Sequence, residues 1–137
     1  MLLARLLLTA TALGLGLAPF AFDLSASHAF NPEWPPHARF HAIWLVGVLA
    51  ALALVMLVVT WHGKRTDAPR NLALAATLGW VALVPFGIAA LAQPVYDGAL
   101  AGKGHALEFF GVNSNLIGFT VGAAMLGSAQ FIIAHSR

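Results

Sequence analysis

The chain contains no cysteine, which excludes disulfides, thiolate metal sites and cysteine nucleophiles. Charge is almost as scarce: 9% of the 137 residues are charged, against about 25% in soluble proteins. So few charges cannot cover a water-exposed globule of this size. Basic clusters interleaved with aromatics are missing too, which excludes nucleic acid as a partner. No internal repeat or low-complexity linker breaks the chain. The apolar runs lack an ionisable residue at mid-depth, where proton-coupled transporters and ion channels carry one. That argues against either activity in a single copy.

Apolar residues are abundant, at 60% of the sequence. They fall into four runs, about residues 2–22, 40–61, 72–92 and 112–134. Each is near the roughly 20 residues that cross a hydrocarbon core as a helix. The expected fold is an all-α integral membrane four-helix bundle of up-down topology, forming a single transmembrane domain over residues 1–137. Arg5, Lys64, Arg65, Arg70 and Arg137 fall on one side of such a bundle, and Arg39 and Lys103 on the other. The positive-inside bias then makes both termini cytoplasmic. The expected location is the bacterial inner (cytoplasmic) membrane. Arg5, the apolar core and A-S-H-A also fit a signal peptide. A retained helix is the preferred reading, because the run is longer than a signal core and carries one positive charge ahead of it.

Polar chemistry gathers on the outer face. Residues 23–41, D-L-S-A-S-H-A-F-N-P-E-W-P-P-H-A-R-F-H, hold three of the six histidines and three of the seven prolines. A second helix starting at Pro35–Pro36 tolerates proline in its first turn, where the missing N–H has no helical partner anyway. It puts His37 and His41 one turn apart on one face, the geometry for two ligands of one metal. His28, His105 and Glu108 complete the expected metal set, and imidazole with carboxylate suits a divalent transition metal. Haem, through His41 and His105, is the weaker expectation because no histidine lies deep in an apolar run. The expected ligand-binding set is Asp23, Glu33, Trp34, Arg39, Asn113 and Asn115, with Tyr96 and Asp97 beside it. The plainer reading of the same residues is structural. Interfacial histidines accompany Arg39 paired with Glu33 or Glu108, and Asn113 or Ser114 caps the last helix.

The stretch Asn31, Pro32, Trp34, Pro35, Pro36, His37, Ala38, Phe40 and His41 resembles the signature of a family of small four-helix membrane proteins of bacteria and fungi. Its motif reads D-W-N-x-T-H-x-x-N-P-x-W-P-P-H-A-x-F-H. Asp23 and His28 keep their spacing, while Leu24 and Ser25 stand where the motif has tryptophan and asparagine. The likeness covers about one seventh of the chain; it implies the four-helix fold and names no activity.

Three functions follow as expectations. The first is a binding or accessory membrane protein whose outer-face cluster takes a metal ion, an amphipathic ligand or a partner subunit. The second is a small membrane enzyme using His37 or His41 as general base or metal ligand on a lipid-like substrate, with Asp23 or Glu33 assisting. The third is a structural subunit, or homo-oligomer, packing through Gly118 and Gly122, which have the small-xxx-small spacing of close helix contacts.

Overall fold

The computed structural model describes residues 1–101 and 107–136. Four helices are long and apolar enough to cross a membrane: α1 (Leu2–Phe22), α2 (Pro36–Trp61), α3 (Ala68–Leu91) and, after a four-residue helix α4 (Gln93–Tyr96), α5 (Ser114–Ala134). At about 1.5 Å per residue, their 21 to 26 residues match or exceed a hydrocarbon core of about 30 Å. The expected all-α fold holds, with four helices of membrane-spanning length and hydropathy.

The helix starts differ from the apolar runs for a common reason. Pro35 (φ −54°, ψ 143°) is held out of the helical region by the proline that follows it, and Pro36 opens α2. The polar stretch His37–Ala38–Arg39 therefore belongs to α2, ahead of the apolar run at residue 40. Likewise α3 begins at Ala68 with Pro69 in its first turn, after a 3₁₀ turn (Arg65–Asp67). It runs on through Pro85 to Leu91. Hydropathy marks where lipid is met; the backbone hydrogen-bond ladder continues past that point into the polar margin.

One element departs from the loop expected before the last helix. Glu108–Phe109 (β1) pairs antiparallel with Val112–Asn113 (β2). The two-residue turn has positive φ at Phe110 (54°) and Gly111 (75°), the primed hairpin geometry that favours glycine. Asn113 then caps α5, its side-chain oxygen accepting from the Asn115 backbone N–H. The structural reading of Asn113 is thus correct.

The core is built from small and aliphatic residues at helical spacing. Ala4, Leu8, Ala12 and Leu15 of α1 meet Ala53 and Met56 of α2, Leu72, Ala75, Ala76 and Leu83 of α3, and Leu126, Ala129 and Ile133 of α5. Intervals of three and four keep each set on one helix face. α1 packs on α2, α3 and α5, and α3 packs on α2 and α5. Close pairs run in opposite senses: Arg5 with Thr60, Thr9 with Trp61 and Gly16 with Ala53. Between α3 and α5 they are Gly79 with Leu126, Trp80 with Gln130 and Phe86 with Phe119.

The two ends are unlike. At one, the Arg5 guanidinium donates to the Thr60 carbonyl and lies 5.4 Å from the Trp61 ring centre, while the Trp61 indole N–H donates to Thr9. This latch ties the start of α1 to the end of α2. At the other end no residue of α2 before Val46 is buried, and that is where the polar stretch lies.

Candidate functional site

α2 divides its first turns between two faces. Arg39 stands seven residues before Val46, on the stripe that continues through Ala53, Met56 and Thr60 into the bundle. It is half-buried, and its guanidinium Nε is enclosed with no hydrogen-bond partner among the described residues. His37, Phe40, His41 and Trp44 occupy the face turned away from the bundle. Phe40 is 60% and Trp44 58% exposed, so neither is held by the other helices.

On that outward face the two imidazoles meet. Their Nε2 atoms lie 3.0 Å apart, one donating to the other, with ring centres 4.4 Å apart and planes at 86°. Phe40 runs parallel to the His37 ring at 6.4 Å, and Trp44 lies 5.8 Å from His41. Phe40, Ile43 and Trp44 line an open apolar groove beside the pair. The i, i+4 spacing legible in the sequence therefore gives two convergent nitrogen atoms in an aromatic collar.

The other candidates form a separate knot. Between α1 and α2 the chain turns on itself: the Ala29 N–H donates to the Asp23 carbonyl, and the Glu33 N–H to the side chain of Asn31. Ala29 is buried against the protein. Ser25 and Ser27 share a hydrogen bond of 2.8 Å, and Ser27 lies 2.9 Å from His28 Nδ1. The His28 ring meets the edge of Trp34 at 5.7 Å. His28 and Trp34 thus hold this loop together, and the serines beside them carried no sequence signal beyond their polarity.

Burial pushes the Asp23 carboxyl above its ordinary value of 3.8, and the nearby charge of His28 partly offsets the rise. A carboxyl with a higher pKa folded than unfolded binds more protons in the folded state, so stability falls as pH rises through that interval. Thermal unfolding in detergent should therefore show the protein gaining stability on acidification towards pH 4. In Asp23→Asn that gain should shrink, with the variant more stable than the parent at pH 7. An unchanged pH profile would mean Asp23 is solvated.

The remaining candidates are dispersed. Glu108 is exposed on the hairpin, opposite Asn113. Asn113 is occupied as the cap, and the Asn115 amide donates to the Leu100 carbonyl at 2.8 Å. The Tyr96 hydroxyl donates to the Ala89 carbonyl, and Asp97 adopts a left-handed φ of 53° after α4. His105 lies outside the described residues. Among the described residues, no group of three or more histidine or carboxylate side chains is arranged to hold a metal ion. Gly122 faces Leu83, where an added Cβ would meet its Cδ1 at 3.4 Å, whereas Gly118 has no neighbour within 4 Å. The small-residue pair thus packs within the chain at one member only.

The chain matches no family profile, no curated protein and no solved structure. The likeness over residues 31–41 remains one of motif, and the reading of function rests on the geometry.

Proposed function

We propose that the protein is an up-down, four-pass membrane protein with both ends in the cytoplasm, whose outer face binds a divalent transition metal ion through His37 and His41. The opposed pairing of α1 with α2 and of α3 with α5 supports the topology. Arg5, Lys64 and Arg70 lie at the Trp61 end of the bundle, which fits the positive-inside bias.

Depth supports the binding role. Trp44 and Trp61 are 17 residues apart, about 26 Å at the helical rise, close to the separation of two interfacial tryptophan belts. His41 then lies about 5 Å, and His37 about 10 Å, beyond the outer belt, among lipid headgroups where ions and water are at hand. The observation that carries the reading is the approach of two Nε2 atoms to 3.0 Å on an outward face. Two histidines at i and i+4 of one helix are the usual arrangement for gripping one ion from one side. Metal requires both Nε2 lone pairs, so on binding the donor ring of the neutral pair carries its proton on Nδ1 instead. Binding, more than catalysis, suits a pair whose nearest neighbours are Phe40 and Trp44 and whose acids, Asp23 and Glu33, belong to the separate loop knot.

Elemental analysis of the purified, chelator-stripped and zinc-reloaded protein tests this reading. Retained zinc should fall at least tenfold in His37→Ala and in His41→Ala, since each removes one of two ligands. Equal zinc in the parent and both variants would refute it.

A further inference from the structure

The His37–His41 pair supplies two nitrogen atoms, and a structural zinc site takes four ligands. We infer that the missing two come from a second copy of this chain, so that one divalent transition metal ion joins two bundles through His37 and His41 of each. The inference rests on the metal-binding reading above and specifies its partner.

Three observations carry it. The first is the ligand count: among the described residues nothing in the chain adds a third ligand, and the pair points away from its own bundle. The second is fit. Tetrahedral ligands at Zn–N distances of about 2.0–2.1 Å stand about 3.3 Å apart, so the observed 3.0 Å needs a few tenths of an ångström of opening and a turn of the rings that brings both Nε2 lone pairs onto the ion. The third is the surface around the pair. Phe40 at 60%, Ile43 at 49% and Trp44 at 58% exposure form an apolar flank that a flat, like surface can cover.

The membrane selects the partner. Every copy inserts with the same orientation, so a two-fold axis along the membrane normal brings identical residues together at identical depth. Such an isologous contact sets His37 and His41 of one copy against His37 and His41 of the other. A soluble partner has no comparable constraint on depth or tilt. Four neutral imidazoles make a site for zinc, copper(II) or nickel and a poor one for calcium or magnesium.

The test uses the full chain in mild detergent micelles, where copies exchange freely, stripped with chelator and titrated with Zn²⁺. Stoichiometry is read by elemental analysis and association by single-molecule photobleaching. The expected result is one zinc per two chains, with paired particles that chelator separates and that His37→Gln or His41→Gln keeps single. Because the sequence has no cysteine, Phe40→Cys, which leaves both histidines in place, adds a direct probe. With a short bis-maleimide, which alkylates one thiol on each copy, it should form a cross-linked dimer with zinc and little without, while Val121→Cys on the exposed face of α5 should not. One zinc per chain on single particles would overturn the inference and leave the binding reading standing. Zinc lost in His105→Ala or Glu108→Ala with the particles single would do the same, placing the missing ligands within the chain. No histidine-dependent zinc at all would sink both.

Discussion

Gly16→Leu is expected to unfold the α1–α2 pair, lowering stability in a denaturant titration by about 3 kcal/mol, the upper part of the overpacking range. A Cβ built on Gly16 would lie 2.8 Å from the Cβ of Ala53 and 4.0 Å from the Cα of Ala50. Ala53 has no rotamer with which to retreat, so the clash can be relieved only by moving one helix backbone off the other. That movement also draws Arg5 from the Thr60 carbonyl and Trp61 from Thr9, the latch at the end of the same interface. Gly16→Ala should show the milder form, at about 1 kcal/mol. The comparison variant is Gly14→Leu, two residues earlier, where no atom lies within 4 Å of the added Cβ. There the gain in helix propensity is about 1 kcal/mol, and stability should hold or rise. Equal loss in the two leucine variants would mean that α1 does not meet α2 along Gly16.

Leu126→Ala should cost about 2–5 kcal/mol, the range for emptying a fully enclosed leucine site. Leu126 has no exposed surface. Its methyls occupy the space left by the absent side chain of Gly79, with the Met56 terminal carbon on the third side: a Cβ on Gly79 would stand 2.7 and 2.9 Å from the leucine methyls and 3.2 Å from Met56. Lipid tails are as apolar as leucine, so the loss is one of dispersion contacts and of a void no neighbour fills. The same geometry predicts coupling. Gly79→Ala alone should destabilise by crowding Leu126, but with Leu126→Ala the crowding disappears and the new methyl partly fills the void. The double variant should be more stable than the sum of the single losses predicts by about 1–3 kcal/mol. Strict additivity would show that Gly79 and Leu126 do not share one contact.

These two sites mark the limit of what could be read in advance. Leucine and glycine in an apolar run serve lipid and core equally well, so nothing in the sequence marks Gly16 as a packing glycine and Gly14 as an open one. The small-residue pair that does carry a spacing signal, Gly118 and Gly122, packs at one member only. Arg5 reads as a topogenic charge, yet here it also binds the end of α2, because the loops bring residues 5 and 60 together. The turn at Phe110–Gly111 was hidden for another reason: a two-residue strand is too short to show alternation.

The polar stretch was legible in part. Helical periodicity alone puts His37 over His41, and Asn113 reads as a cap because its position before an apolar run allows little else. Which way that face points is a tertiary matter. Arg39 and the histidines are two residues apart on one helix, so seating α2 on its neighbours through Ala53 and Met56 turns the arginine in and the imidazoles out. The acids expected beside them went elsewhere, Asp23 and Glu33 into the loop before α2 and Glu108 onto the hairpin.

Composition and the length of four apolar runs are enough to determine four helices able to cross a membrane, because in a lipid interior a helix satisfies its backbone polar groups by itself. The same local rules determine that two imidazoles share one helical face. Only the packing of α2 against its neighbours decides that this face looks outward, since every face of so apolar a helix is compatible with lipid and only shape complementarity with Gly16 and the Leu126 layer chooses among them.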